Sequence, residues 1–269
     1  MISPTTNVEL VAALKRLRLG RIADSLPERL TLAEKQNLGF EDLLLTLLTD
    51  EISRRDSSAT SARVSEANLE PQMTLEQFDA SAKITYDKRV FAELCSLRFI
   101  EGHKHVVVLG PVGVGKTFLA TALGHLACRH RYNVKFMRAD DMLHALKQSR
   151  LDNSRDELMM ELCTVDLLIL DDFALESMTR EESKDVYQLF VERTGRASMV
   201  VTSNRDTGEW LSMFEEVLLA QSAIDRFKNA AYDLIIDGES YRPRLKPSIS
   251  TTMATAESPV SKPVRRPKR

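Results

Sequence analysis

The octapeptide Gly110-Pro111-Val112-Gly113-Val114-Gly115-Lys116-Thr117, set directly behind the apolar run Val106-Val107-Val108-Leu109, constrains this chain more than any other stretch. The pattern G-x-x-x-x-G-K-[ST] makes physical sense where a buried strand ends, a glycine-rich turn reverses the backbone, and a helix begins at about Lys116. Positions without side chains let successive backbone N–H groups converge on an anion. Lys116 is then the group that reaches the β and γ phosphates of a nucleotide, and the Thr117 hydroxyl is the ligand of a bridging magnesium ion.

Such a cradle needs a layered sheet behind it, and the pattern downstream supplies one. Short apolar runs at 106–109, 134–137, 167–170, 199–202 and 234–236 alternate with helical periodicity at 116–131, 141–148, 156–163 and 181–193. This predicts an α/β domain whose sheet is mostly parallel and five-stranded. The helix at 181–193 opens with Thr179-Arg180-Glu181-Glu182, an S/T-x-x-E capping box.

Upstream, Leu10, Leu14 and Leu17, then Phe40, Leu43, Leu44, Leu47 and Leu48 recur at helical spacing, with Gly20, Pro27 and Gly39 as punctuation. Three or four short helices follow from that pattern. The stretch 56–65 is rich in serine, alanine and threonine, and Pro71 comes soon after, so a linker or hinge is expected at about 56–72. After Tyr241 the residues Arg242, Arg244, Lys246, Lys262, Arg265, Arg266, Lys268 and Arg269 face the single acid Glu257. That composition predicts a disordered basic tail. The expected layout is a helical unit and hinge at 1–70, an α/β domain at 71–245 and the tail at 246–269.

Cys95, Cys128 and Cys163 are scattered and odd in number, which indicates neither a disulfide framework nor a cysteine zinc site. No run of about 18 apolar residues occurs, and the first 14 residues carry Glu9 with no basic segment leading into an apolar core. Membrane contact is not expected, and the expected location is the cytoplasm.

A phosphate cradle alone hydrolyses nothing, but the run Leu167-Leu168-Ile169-Leu170 delivers Asp171 and Asp172 at the end of a second apolar strand. In α/β sheets that edge is where ligands gather. Asp171 fits a magnesium ligand, and Asp172 fits the group that polarises an attacking water. A third strand ends in Thr202-Ser203-Asn204-Arg205, whose Asn204 is a neutral polar tip suited to orienting water near the γ phosphate.

In this order the motifs resemble the AAA+ ATPases, and most closely the IstB-type transposition helper ATPases, which are related to the DnaC helicase loaders. The likeness rests on residues 110–117, 166–173 and 202–205, on Ala223-Ile224-Asp225-Arg226-Phe227, and on Ile236-Asp237-Gly238-Glu239-Ser240-Tyr241-Arg242. It covers about residues 8–244. The resemblance implies a P-loop ATPase that uses ATP and Mg2+ and self-associates into a ring or helical oligomer on duplex DNA without sequence preference, regulating a cognate transposase. It implies that nucleotide sits between subunits, with Arg226 as the arginine offered to a neighbour and Arg242 as a sensing arginine in cis. Many AAA+ enzymes have glutamate after the magnesium aspartate. The shorter Asp172 here implies slower hydrolysis, with ATP acting mainly as an assembly switch.

Lys15, Arg16, Arg18, Arg21, Arg54, Arg55, Arg63 and the tail are the candidate phosphate contacts for DNA. His103 and His105 form an H-x-H pair without a third ligand nearby, which argues against zinc. Trp210 and Phe214 read as a core-facing stripe. A replicative helicase loader, an ATP-gated scaffold without required turnover, and a metabolic P-loop kinase are the rival readings.

Overall fold

The computed structural model describes residues 7–79 and 81–245. A six-stranded sheet at its centre comprises β1 (Ile84–Tyr86), β2 (His105–Leu109), β3 (Val134–Arg138), β4 (Leu167–Asp171), β5 (Ser198–Ser203) and β6 (Ala231–Gly238), in the spatial order β1-β6-β2-β5-β4-β3. Strands β2 to β6 are mutually parallel, and β1 pairs antiparallel with β6. The five expected strands are therefore present, and β1 is an addition. At three residues, Ile84-Thr85-Tyr86, it is too short to show a period. β2, β4 and β5 are buried along their whole length. Helices cover both faces, which is why these strands read as continuous apolar runs rather than alternating ones.

The helices are α1 (Val8–Arg16), α2 (Ile22–Gln36), α3 (Phe40–Glu66), α4 (Lys88–Cys95), α5 (Arg98–Glu101), α6 (Lys116–Arg129), α7 (Ala139–Ser149), α8 (Arg155–Thr164), α9 (Arg180–Arg193) and α10 (Val217–Asn229). Successive strand residues point to opposite faces and so feed two cores. Val106, Val108, Ile169 and Val200 pack with Leu119 and Leu123 of α6 on one face. Val107, Leu168, Leu170 and Val201 pack with Met142, Leu189 and Phe227 of α7, α9 and α10 on the other. The capping box forms as read: the Glu182 N–H donates to Thr179 Oγ1 at 3.4 Å and the Thr179 N–H to Glu182 Oε2 at 2.9 Å. Trp210 and Phe214 are buried in the second core. His105 is fully buried, accepts from the Met199 N–H at 3.2 Å and stacks on Phe227 at 4.8 Å.

One expectation is overturned. Residues 56–66, read as part of a hinge, are the second half of the 27-residue helix α3. No glycine or proline lies between Gly39 and Pro71, and alanine, serine, arginine and glutamate are all compatible with a helix. The lack of large apolar residues there reflects exposure, not a loose backbone. α3 is moored to the sheet at its far end, where the Phe136 N–H of edge strand β3 donates to Ala67 O at 2.9 Å and Leu69 enters the α6-side core. Arg131 and Asp56 add an ion pair at 2.9 Å.

Residues 246–269, where the basic tail is expected, lie outside the described residues. Among the described residues no helix is long and apolar enough to cross a membrane.

Candidate nucleotide site

The loop between β2 and α6 takes a shape that only its glycines allow. Gly110, Gly113 and Gly115 have φ of 154°, 86° and 97°. A Cβ on Gly110 would stand 2.2 Å from Ile236 O, and one on Gly113 would stand 2.2 Å from Ser240 Oγ. The chain after β6 therefore lies directly against the loop, and the Tyr241 N–H donates to Gly113 O at 2.8 Å. Val114 is buried as an anchor, while Val112 is exposed at the tip beside Pro111. Gly115 caps α6 in the left-handed conformation, so the helix's free N–H groups open toward the loop.

The predicted side chains meet here. Lys116 is buried, and its Nζ donates to Pro111 O at 2.9 Å and to Asn204 Oδ1 at 2.5 Å. Burial holds its ammonium below the ordinary lysine range, with Asp172 and Asp171 opposing that shift and Arg242 adding to it. Thr117 Oγ1 donates to the Asp171 carboxylate at 2.9 and 3.0 Å. Asp171 is 4% exposed, and its carboxyl is pushed up by burial, against the hydrogen bonds from Thr202 and Thr117. A threonine hydroxyl beside a buried carboxylate is an all-oxygen donor set, which fits Mg2+.

Asp172 follows with φ of 54°, a left-handed conformation unusual for a residue with a side chain. Its carboxylate is partly exposed, with Arg138 Nη1 at 3.6 Å from Oδ2. Arg242 is exposed at the start of a 3-10 turn, Arg242–Leu245, and lies near enough for its charge to act on Lys116.

Arg226 does not join the group. It is exposed in the last turn of α10, which packs on the sheet face opposite α6. α10 leads into the start of β6, where Ala231 pairs with His105 at the beginning of β2, whereas the phosphate loop follows the end of β2. The length of β2, about 13 Å, separates the two levels.

Sequence reading missed several participants. Thr202 Oγ1 donates to Asp171 Oδ1 at 2.6 Å and accepts from the Asp172 N–H at 3.0 Å, joining both aspartates to β5. A hydroxyl inside the apolar run Met199-Val200-Val201-Thr202 was the available signal. Ser240 was visible only as part of the stretch Ile236 to Arg242, with no role attached, and Arg138 carried no signal. Beside Gly115 a cavity is lined by Phe78, Ile84, Val114, Phe118 and Tyr241. It is continuous with the loop and largely apolar, and it is assembled from segments too far apart in the chain to be read together.

Known proteins resemble this chain over most of its length. The chain is 36% identical over 242 residues to an insertion-sequence ATP-binding protein of Mycobacterium tuberculosis, covering 89% of this chain and 96% of that one. It is 34% identical over 234 residues to the insertion sequence IS21 ATP-binding protein of Pseudomonas aeruginosa, covering 87% and 88%. Among solved structures, AMPPCP-bound DnaA from Aquifex aeolicus superposes with a TM-score of 0.51 at 23% identity, over 62% of this chain and 51% of DnaA. DnaI does so with 0.50 at 23% identity, over 61% and 90%. These two show the shared fold. The family model described as IstB-like ATP binding protein matches residues 12–248, and the chain belongs to that family.

Proposed function

We propose that this protein is an Mg2+-dependent ATPase that assembles on duplex DNA and regulates the transposase of an insertion sequence. Residues 71–245 act as the ATPase domain and residues 1–70 as the helical unit that meets DNA or the transposase. The single observation that carries the reading is the separation of Arg226 from its own phosphate loop. Lys116, Thr117, Asp171, Asp172 and Asn204 converge, yet the arginine that would neutralise the transferring phosphoryl group sits at the other end of the sheet. A neighbouring subunit is the natural source of that charge.

In the bound state the N–H groups of residues 110–115 and the start of α6 receive the β and γ phosphates, and Lys116 exchanges Pro111 O for phosphate oxygens. Thr117 and Asp171 would hold a magnesium ion, which would supply charge neutralisation for the phosphates. Asn204 orients the attacking water and Asp172 accepts its proton. The adenine base enters the apolar cavity lined by Phe78, Ile84, Val114, Phe118 and Tyr241.

Complementation tests this. Lys116→Ala subunits have an empty site but a sound Arg226, and Arg226→Ala subunits have the reverse. Each alone should hydrolyse ATP poorly, and a mixture on duplex DNA should recover turnover. No recovery, or full activity of Arg226→Ala alone, rejects the shared site. Stimulation by single-stranded DNA in place of duplex would instead favour a helicase loader. The Arg138–Asp172 ion pair favours a second reading, in which ATP acts as an assembly switch with slow turnover. Normal transposition by Asp172→Ala would support it.

A further inference from the structure

We infer that Gln77 reads the base of the bound nucleotide and selects adenine over guanine. The inference rests on the proposed entry of the base into the apolar cavity beside Gly115. Gln77, Asp79 and Tyr241 are the residues on that cavity's wall whose side chains can hydrogen-bond. Two of them are already joined: the Tyr241 hydroxyl donates to Asp79 Oδ2 at 2.9 Å, and Asp79 Oδ1 accepts from the Ser81 N–H at 2.8 Å. The Gln77 amide has no hydrogen-bond partner among the described residues and stands exposed at the rim. Its neighbours hold it there. Gln77 closes the 3-10 turn Leu75–Gln77. On one side Arg129, in the last turn of α6, donates to Glu76 from Nη1 at 2.5 Å and from Nη2 at 3.1 Å. On the other, the Phe78 ring packs 5.7 Å from that of Phe118, also on α6. The Gln77 backbone is thus pinned from both flanks to the helix that carries Lys116 and Thr117, so the amide and the phosphate cradle keep a fixed relation.

A primary amide carries an acceptor and a donor side by side in one plane. Adenine offers the complement, an amino group at C6 beside a ring nitrogen that accepts. On guanine O6 and N7 are adjacent acceptors, so the oxygen of the amide would oppose one of them. Guanine presented by its N1–H and O6 would satisfy the amide but bring its 2-amino group into the cavity. The wall of Phe78, Ile84, Val114 and Phe118 side chains supplies no acceptor for it, and an unpaired amino group out of water is costly. Base choice is therefore separate from the groups that would hold phosphate and magnesium.

Calorimetric titration of the full chain with nucleoside diphosphates and Mg2+ tests this without turnover. Purine riboside diphosphate, which lacks the 6-amino group, should bind wild type about three- to tenfold more weakly than ADP. Gln77→Ala should bind ADP more weakly by a similar factor and be indifferent to loss of the amino group, and its preference for ADP over GDP should shrink. A wild type indifferent to the amino group, equal losses in both proteins, or an unchanged ADP-to-GDP ratio would each overturn the role of Gln77. Phe118→Trp separates this from the base placement itself, since the added fluorescence should respond to ADP. A response without coupling to Gln77 leaves the cavity as the base site and overturns the inference alone. Calorimetric binding of ADP with no response overturns both.

Discussion

Arg138 Nη1 lies 3.6 Å from Asp172 Oδ2, so the carboxylate that follows Asp171 is tethered to the end of the neighbouring strand. The tether is shared, since Arg138 also holds Asp140 through Nε at 3.1 Å. Asp172 is drawn toward β3 by this pair while the Thr202 hydroxyl fixes its backbone from β5.

Freeing Asp172 should raise basal turnover. A partly exposed ion pair is worth about 0.5–1 kcal/mol, so Arg138→Ala is expected to increase kcat for ATP about two- to fivefold. Nucleotide affinity should change little. A steady-state assay without DNA decides it, and a fall in kcat would show that Arg138 supports hydrolysis rather than restraining it.

Thr202→Val removes a buried hydroxyl that donates to Asp171 and accepts from Asp172. The unmet partners should cost about 1–3 kcal/mol of stability. Apparent magnesium affinity in the presence of ATP should weaken as well, because Asp171 loses one of its two threonine donors. Denaturant unfolding and a magnesium titration measure the two effects separately.

Burial pushes the Asp171 carboxyl up. An acid whose folded pKa exceeds its unfolded value contributes stability below the unfolded pKa and loses it as pH rises through the folded one. Asp171→Asn should therefore make the nucleotide-free protein more stable at neutral pH, and the gain should shrink as pH falls into the carboxylate range. The same variant should lose magnesium-dependent ATP binding. Thermal unfolding across pH checks the first statement; equal melting temperatures of the two proteins at neutral pH would contradict it.

Gly110→Ala should cripple the phosphate loop by geometry alone. The new methyl would stand 2.2 Å from Ile236 O, at a φ of 154° that disfavours any side chain. Backbone must move, at a cost of about 1–3 kcal/mol, and ATP binding should fall with it. Gly115→Ala is the informative contrast, since its methyl would meet nothing within 4 Å. Its defect should come from φ alone and be smaller, as read by binding of a fluorescent ATP analogue.

Much of the site was legible because its parts are strand-end motifs. Lys116, Thr117, Asp171 and Asn204 each follow an apolar run, and parallel strands bring such ends to one edge of the sheet. The helix at residues 56–66 was not legible as such, because serine and alanine in a row signal exposure equally for a linker and for a solvated helix. β1 and the apolar cavity beside Gly115 were missed for a related reason. Phe78, Ile84 and Phe118 carry no local pattern, and they become neighbours of Tyr241 only when β1 pairs with β6 and Tyr241 folds back onto Gly113.

The sequence by itself determined the chemistry: a glycine loop that can bend around phosphate, a lysine, a threonine and two carboxylates at strand ends. These follow from backbone freedom and residue type, which are local properties. Tertiary structure decided which of those groups meet. Thr202 joins the two aspartates, Arg138 tethers one of them, and Arg226 stands a strand's length away from the loop. Such relations depend on strand order and on which sheet face each helix covers, and the local sequence does not encode them.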